Sequence, residues 1–229
     1  RYVKSVGELQ NPDMIIIPGT KNTIGDLLWL RQSGFEAEIL KKAHAGTVVF
    51  GICGGYQMLG TKLSDPFGVE EGGDVAGIGL LNVETIFAEK KRTIQVEGHF
   101  SNVQGIFKAL SGCQFHGYEI HSGVTNFAIN SSLSNMKPIY EEGDIVAEGS
   151  QNITEEMNIY GSYVHGIFDG DGIAKSIVDA LLAKKGMKPE DVHTISFAEY
   201  KQQQYDILAE QVRKNLDMKK IYEILKAGV

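Results

Sequence analysis

The chain has 229 residues, 42% of them hydrophobic, and 29 acidic against 22 basic side chains give it a formal net charge of -7. That hydrophobic content supports one substantial core and excludes a disordered chain. Lysines and arginines gather only in short runs such as Lys90, Lys91 and Arg92, which argues against nucleic acid or an anionic membrane as the main partner.

In chain order, Asp13-Met-Ile-Ile-Ile-Pro-Gly19 is a β-branched run stopped by Pro and Gly, the pattern of a buried parallel strand. From about Ile24 to Ala45 the spacing predicts helix, interrupted near Gly34, with Leu27, Leu28, Leu30, Ile39 and Leu40 as apolar positions. Thr47 to Ile52 reads as the next strand and Tyr56 to Leu63 as a helix. This alternation predicts an α/β sheet with right-handed crossovers. Between Gly72 and Gly149 the β-like runs Gly79 to Ile86, Thr93 to Val96 and Ile145 to Ala147 are separated by Gly, Asn, Ser and Asp. They predict antiparallel strands and hairpins. Asn158 to His165 reads as a strand feeding a glycine. Ile173 to Lys185 and Phe197 to Lys226 read as helices, the second carrying Leu208, Val212 and Leu216, with Gly186 and Gly228 as stops. The expected organisation is a single α/β domain over residues 1–229 with an antiparallel extension. Neither a signal-peptide pattern nor an apolar run of membrane-spanning length occurs, so a cytoplasmic, reducing compartment is the expected setting for the two cysteines, Cys53 and Cys113. The chain begins at Arg1 and enters a strand pattern almost at once, as expected of a piece of a longer polypeptide.

Gly51-Ile-Cys53-Gly-Gly55 has the form Gly-x-nucleophile-x-Gly between a predicted strand and helix. Small neighbours suit a nucleophile whose backbone is forced into a sparsely allowed conformation. A helix N-terminus there favours thiolate over thiol, and the Gly54 amide can hold a developing oxyanion. Pro18-Gly19-Thr20, at the end of the neighbouring strand, is the candidate for a second donor. A lone cysteine is ordinarily an inert buried thiol and Pro-Gly ordinarily a plain turn; the elbow pattern is what favours function. Acyl transfer through a thiolate also needs an acid for the leaving group. Of the six histidines, His44, His99, His116, His121, His165 and His193, position selects His165, which ends a strand immediately before a glycine at the carboxyl edge of the sheet. His44 and His193 lie in helical or linking stretches.

Cys53-Gly-Gly-Tyr-Gln57 resembles the nucleophile motif of class I glutamine amidotransferases. The ordered set PGTKNTIGDLLWLRQSGF, GICGGYQMLG, GYEIHSG and GSYVHGIFD resembles, over essentially the whole chain, the C-terminal amidotransferase domains of cobyric acid synthases. The resemblance implies a flavodoxin-like α/β fold, a mostly parallel central sheet with helices on both faces. It also implies that Cys53 is the nucleophile, His165 its acid/base partner, Gly19 and Gly54 the oxyanion hole, and Gln57 a contact of bound L-glutamine. In the common class I triad a glutamate two residues after the histidine orients its ring, whereas here Ile167 stands there. The cobyric acid synthases share this gap, so the resemblance implies a Cys-His dyad. Losing that carboxylate weakens control of the imidazole, and the isolated domain is expected to be a poor glutaminase until a partner surface arranges the site. Glu119 and Asp169 are candidates for a distant carboxylate. GYEIHSG alternates Tyr118, Ile120 and Ser122 against Glu119 and His121 as a half-buried strand, and no zinc-like spacing completes a metal site with Cys113.

The resemblance further implies a partner, an N-terminal ATP-dependent synthetase domain that carries Mg-ATP and the corrinoid acceptor. The ammonia would amidate the b, d, e and g carboxylates of adenosylcobyrinic acid a,c-diamide. This chain has no Gly-x-x-x-x-Gly-Lys-Ser/Thr phosphate loop, so no cofactor is expected within it. Three alternatives stand beside this reading. A glutaminase subunit amidating peptidoglycan precursors is similar around the cysteine and GYEIH, although PGTKNT and LLWLRQSGF favour the cobalamin branch. A cysteine hydrolase would give Gln57 no special purpose, and a non-catalytic interaction domain would not need Cys53.

Overall fold

In the computed structural model, residues 1–128, 131–188 and 197–228 are described. They fall into two units, one within Arg1–Asp191 and one within Val192–Val229. In the first unit the isoleucine run forms β1 (Met14–Ile17). It lies parallel to β2 (Val48–Ile52), with Ile15 opposite Val49 and Ile16 opposite Phe50. The late strand β10 (Asn158–Ser162) lies parallel to β2 on its other side, and β9 (Ser150–Ile153) closes this four-stranded sheet antiparallel to β10.

The period-two alternation of these strands supplies both layers of core. Ile15, Ile17, Val49 and Ile159 face one cluster with Ile24, Leu27, Phe35, Ile39 and Leu59. These come from α2 (Thr23–Gln32), α3 (Phe35–His44) and α4 (Gly54–Leu59). Val48, Phe50 and Tyr160 face the other cluster with Phe107, Phe115, Ile173 and Ile177, from a 3-10 segment at Gly105–Leu110, from β6 (Gln114–Asn126) and from α5 (Ile173–Lys184). Gly34, at φ 82, adopts the left-handed conformation that ends α2 and starts α3, where the sequence predicts the interruption. A short α1 (Val6–Leu9) precedes β1 and was not expected.

Among the described residues the extension is a six-stranded sheet of β3 (Lys62–Asp65), β4 (Gly73–Ala76), β5 (Glu84–Phe100), β6, β7 (Ser134–Pro138) and β8 (Val146–Glu148). It is antiparallel except where β3 runs parallel to β5. Two predicted strands merge into β5, whose 17 residues pair along β6 with an irregularity between Phe87 and Arg92. The helix expected to reach Leu63 ends at Leu59, and Lys62 and Leu63 belong to β3 instead. At Gly60 the backbone turns extended, and a Cβ there would lie 2.7 Å from the Val83 carbonyl oxygen. In the second unit, the helix predicted over 197–226 is two helices, α6 (Phe197–Asn215) and α7 (Met218–Ala227). Asp217 separates them by capping α7, its side chain accepting from the Lys220 N–H at 3.0 Å. Among the described residues no helix is long and apolar enough to cross a membrane.

Candidate active site

β2 runs into a turn at Cys53, whose φ of 52 and ψ of −111 lie where side chains are disfavoured. The turn is held from both sides: the Cys53 N–H donates to the Ser162 carbonyl at 2.8 Å, and the Cys53 carbonyl accepts from the Gln57 N–H at 3.0 Å. The flanking glycines are required by close approach. A Cβ on Gly51 would come within 2.6 Å of the Gly55 carbonyl oxygen, and one on Gly55 within 2.0 Å of the Ile17 carbonyl oxygen.

That packing draws the end of β1 onto the cysteine turn. A Cβ placed on Gly19 would sit 3.3 Å from Cys53 Cβ and 3.0 Å from His165 Cε1, so the three residues meet around one point. Beside them, a Cβ on Gly54 would sit 3.2 Å from the Thr20 amide nitrogen. The loop after β1 therefore packs against the start of α4, whose Gly54 amide hydrogen-bonds to the Cys53 sulfur.

His165 lies just beyond β10, which ends at Ser162 rather than at the histidine. An isolated antiparallel bridge joins it to Tyr118 of β6: the His165 N–H donates to the Tyr118 carbonyl at 2.9 Å and the Tyr118 N–H to the His165 carbonyl at 3.2 Å. Their rings stack at 5.3 Å with an 8° interplanar angle. Burial, with His121 adding to it, lowers the His165 pKa and favours neutral imidazole.

The thiol is 5% exposed and donates to the Ile120 carbonyl at 3.3 Å. Burial pushes its pKa up, Glu119 and Glu70 add to this, and the Gly54 amide and Lys91 oppose it. The helix terminus expected to favour thiolate thus acts through Gly54, but desolvation outweighs it. Both shifts favour the uncharged forms of the Cys53 thiol and the His165 imidazole.

Gln57 is buried, and both ends of its amide are occupied. Oε1 accepts from Thr23 Oγ1 at 3.1 Å and Nε2 donates to the Tyr163 hydroxyl at 3.1 Å. Gly123 leaves room for this amide, since a Cβ there would lie 2.5 Å from Gln57 Nε2. Tyr163 continues the chain to Thr125, which meets Thr85 at 2.7 Å. Thr23 and Tyr163 were not singled out from the sequence; Tyr163's place two residues before His165 is the signal that marks it.

β6 is half-buried, as expected, and its inward face carries Glu119, which is 3% exposed, while Tyr118 is 46% exposed. The carboxylate is tolerated inside because Arg92 Nε donates to Oε2 at 2.5 Å and His121 Nε2 lies 3.3 Å from Oε1. Burial alone would raise its pKa; the hydrogen bonds from His121 and Arg92 hold it below the usual carboxylate value. His121 also lies 2.6 Å from the Gly123 carbonyl through Nδ1 and stacks on Tyr163 at 3.8 Å. Glu119 is therefore spent on Arg92 and His121, and Asp169 bonds through its backbone N–H to the Gly166 carbonyl at 2.9 Å. Neither carboxylate hydrogen-bonds the His165 ring. His44 is exposed at the end of α3, and His193 lies outside the described residues.

Glu148, also missed from the sequence, is a fully buried carboxyl that takes the Tyr163 N–H at 2.6 Å and the hydroxyls of Ser134 and Ser162 at 2.7 and 3.1 Å. Burial pushes its pKa from 4.5 up to about 7 against those three donors. Because the folded protein holds this proton more tightly than the unfolded chain, the group's contribution is complete below pH 4.5 and is lost as pH rises through about 7. The loss amounts to about 3 kcal/mol. Glu148→Gln, whose amide can bond the same partners, is expected to remove it. Denaturant unfolding at pH 5 and pH 8 checks this, and an equal pH dependence in wild type and variant would refute it.

Residues 1–173 match the CobB/CobQ-like glutamine amidotransferase domain family. The chain is 47% identical to a cobyric acid synthase of Lachnoclostridium phytofermentans, over 100% of this chain and 45% of the relative. It is 48% identical to one of Ruminiclostridium cellulolyticum, over 100% of this chain and 44% of the relative. For a cobyric acid synthase of Citrobacter koseri the figures are 42%, 99% and 44%. The chain thus spans about half the length of the curated relatives it matches. Among solved structures, PurLQS from Thermotoga maritima shares the fold, with a TM-score of 0.54 and 20% identity over 79% of this chain and 85% of that one. With a family match over residues 1–173 and relatives this similar over its whole length, the chain belongs to the CobB/CobQ-like glutamine amidotransferase domains.

Proposed function

We propose that this chain is the glutaminase half of a cobyric acid synthase. Cys53 attacks the side-chain amide carbon of L-glutamine as its thiol proton passes to His165. The amides around Gly19 and Gly54 receive the oxyanion, His165 returns the proton to the departing nitrogen, and ammonia leaves. Water, activated by the now neutral His165, cleaves the γ-glutamyl thioester to glutamate. The observation that carries this reading is Cys53, held at φ 52, meeting Gly19 and His165 around one point. Gln57 is the contact for the bound glutamine in this reading, with Thr23 and Tyr163 fixing its amide.

The ammonia is the useful product. In this reading a synthetase domain, supplying the length the relatives have beyond this chain, binds Mg-ATP and the corrinoid. It activates the b, d, e and g carboxylates of adenosylcobyrinic acid a,c-diamide for amidation. Burial favours the uncharged thiol and imidazole over the reactive ion pair, which fits a site that becomes fully active only with that half in place.

The test is covalent labelling with 6-diazo-5-oxo-L-norleucine, with and without competing L-glutamine, read by peptide mapping. The expected result is an adduct on Cys53 that glutamine suppresses. A folded protein that stays unlabelled with the synthetase half present would reject the amidotransferase mechanism.

A further inference from the structure

We propose that Tyr118 positions the His165 imidazole, in the place that a carboxylate fills in a Cys-His-Glu triad; this rests on the reading of Cys53 and His165 as the dyad. A catalytic imidazole must be held at two levels. Its backbone must aim the Cα–Cβ bond at the thiol, and its ring must be stopped from rotating about χ2.

The first level is met by the bridge. β10 ends at Ser162, so His165 has left the parallel sheet, and its N–H and carbonyl are both taken by the backbone of Tyr118. Gly117 makes this approach possible, because a Cβ there would lie 2.2 Å from the His165 carbonyl oxygen. The second level is met by the parallel Tyr118 ring at 5.3 Å, with Gly19 adjoining Cε1. Flat stacking between these rings resists rotation of the imidazole without bonding either nitrogen.

Among the described residues no carboxylate hydrogen-bonds this ring. Ile167, where the triad glutamate would be, is 1% exposed and packed into the second core cluster, so that position turns away from the site. Glu119 is committed to Arg92 of the neighbouring β5 and to His121, two residues along its own strand. The strand also aligns the nucleophile, since the Ile120 carbonyl that receives the Cys53 thiol lies two residues beyond Tyr118. β6 thus sets both members of the dyad against each other.

The ring, not the hydroxyl, is the operative part, which makes the test specific. In the full-length protein, Tyr118→Phe is expected to keep the kcat for glutamine hydrolysis within about twofold, since the stack survives. Tyr118→Leu is expected to lower kcat about tenfold, a part of what a placed acid/base contributes, with KM within about threefold. Tyr118→Val, suited to a strand, keeps the test open if the leucine variant folds poorly. A split between kcat and KM together with rescue by phenylalanine is not what a general loss of structure produces. Wild-type protein labelled on Cys53, with kcat unchanged in the leucine and valine variants, would overturn the role of Tyr118 alone. Failure of wild-type labelling would overturn the dyad and, with it, this role.

Discussion

Replacing Cys53 by glycine is expected to abolish glutamine hydrolysis, by at least about 10^4-fold, because the step that forms the thioester has no substitute nucleophile. The same variant should be no less stable than the wild type. Among the described residues only Gln10 and Cys53 are non-glycines at positive φ, and a side chain held at φ 52 and ψ −111 costs about 1–3 kcal/mol. Glycine releases that strain and offsets the lost contacts of one small buried thiol. An inert core cysteine behaves in the opposite way: its removal leaves activity intact and costs stability. Steady-state glutaminase assays and thermal unfolding of Cys53→Gly therefore separate the two, and retained turnover or a loss of about 2 kcal/mol would favour the inert thiol.

Much of the site is legible in the sequence because its parts are local. The isoleucine run, the Pro-Gly stop and the glycines around Cys53 each declare a strand end or a sharp turn within a few residues, and β1, β2 and the turn appear where those signals place them. His165 follows the same logic, although its strand stops three residues earlier than the apolar pattern suggests. What the sequence hides is long-range. The inward turn of Glu119 depends on Arg92, 27 positions away, and Gln57 is held by Thr23 and by Tyr163, 106 positions away. A strand's period says which residues share a face but not which face is inside, and here charge pairing across β5 and β6 decides it. The merging of two predicted strands into β5 has a related cause. Lys90, Lys91 and their neighbours look like a loop in composition, yet they form the irregularity through which the pairing with β6 continues.

Gly55→Ala should be the most damaging of the small changes, and for a reason that links stability to chemistry. The added methyl would lie 2.0 Å from the Ile17 carbonyl oxygen, 2.6 Å from its carbon and 2.9 Å from the Pro18 carbonyl oxygen, all backbone atoms at the end of β1. No rotamer change relieves such contacts, so β1 and α4 must separate, at a cost of about 3 kcal/mol or more. The separation would draw Gly19 away from Cys53 and Thr20 away from Gly54. Variants that remain folded at low temperature should therefore lose kcat as well, with the thiol still present. Gly7→Ala is the matched control, since a Cβ there meets nothing within 4 Å. Chemical denaturation compared across the two alanine variants reads the stability difference directly. If Gly55→Ala unfolds like its control and hydrolyses glutamine normally, the close approach of β1 to the cysteine turn is not what assembles the site. If it is both weakened and slow, the glycines of Gly-x-Cys-x-Gly serve the oxyanion as much as the nucleophile, because the contact that forces Gly55 to lack a side chain is the one that carries Gly19 to the thiol.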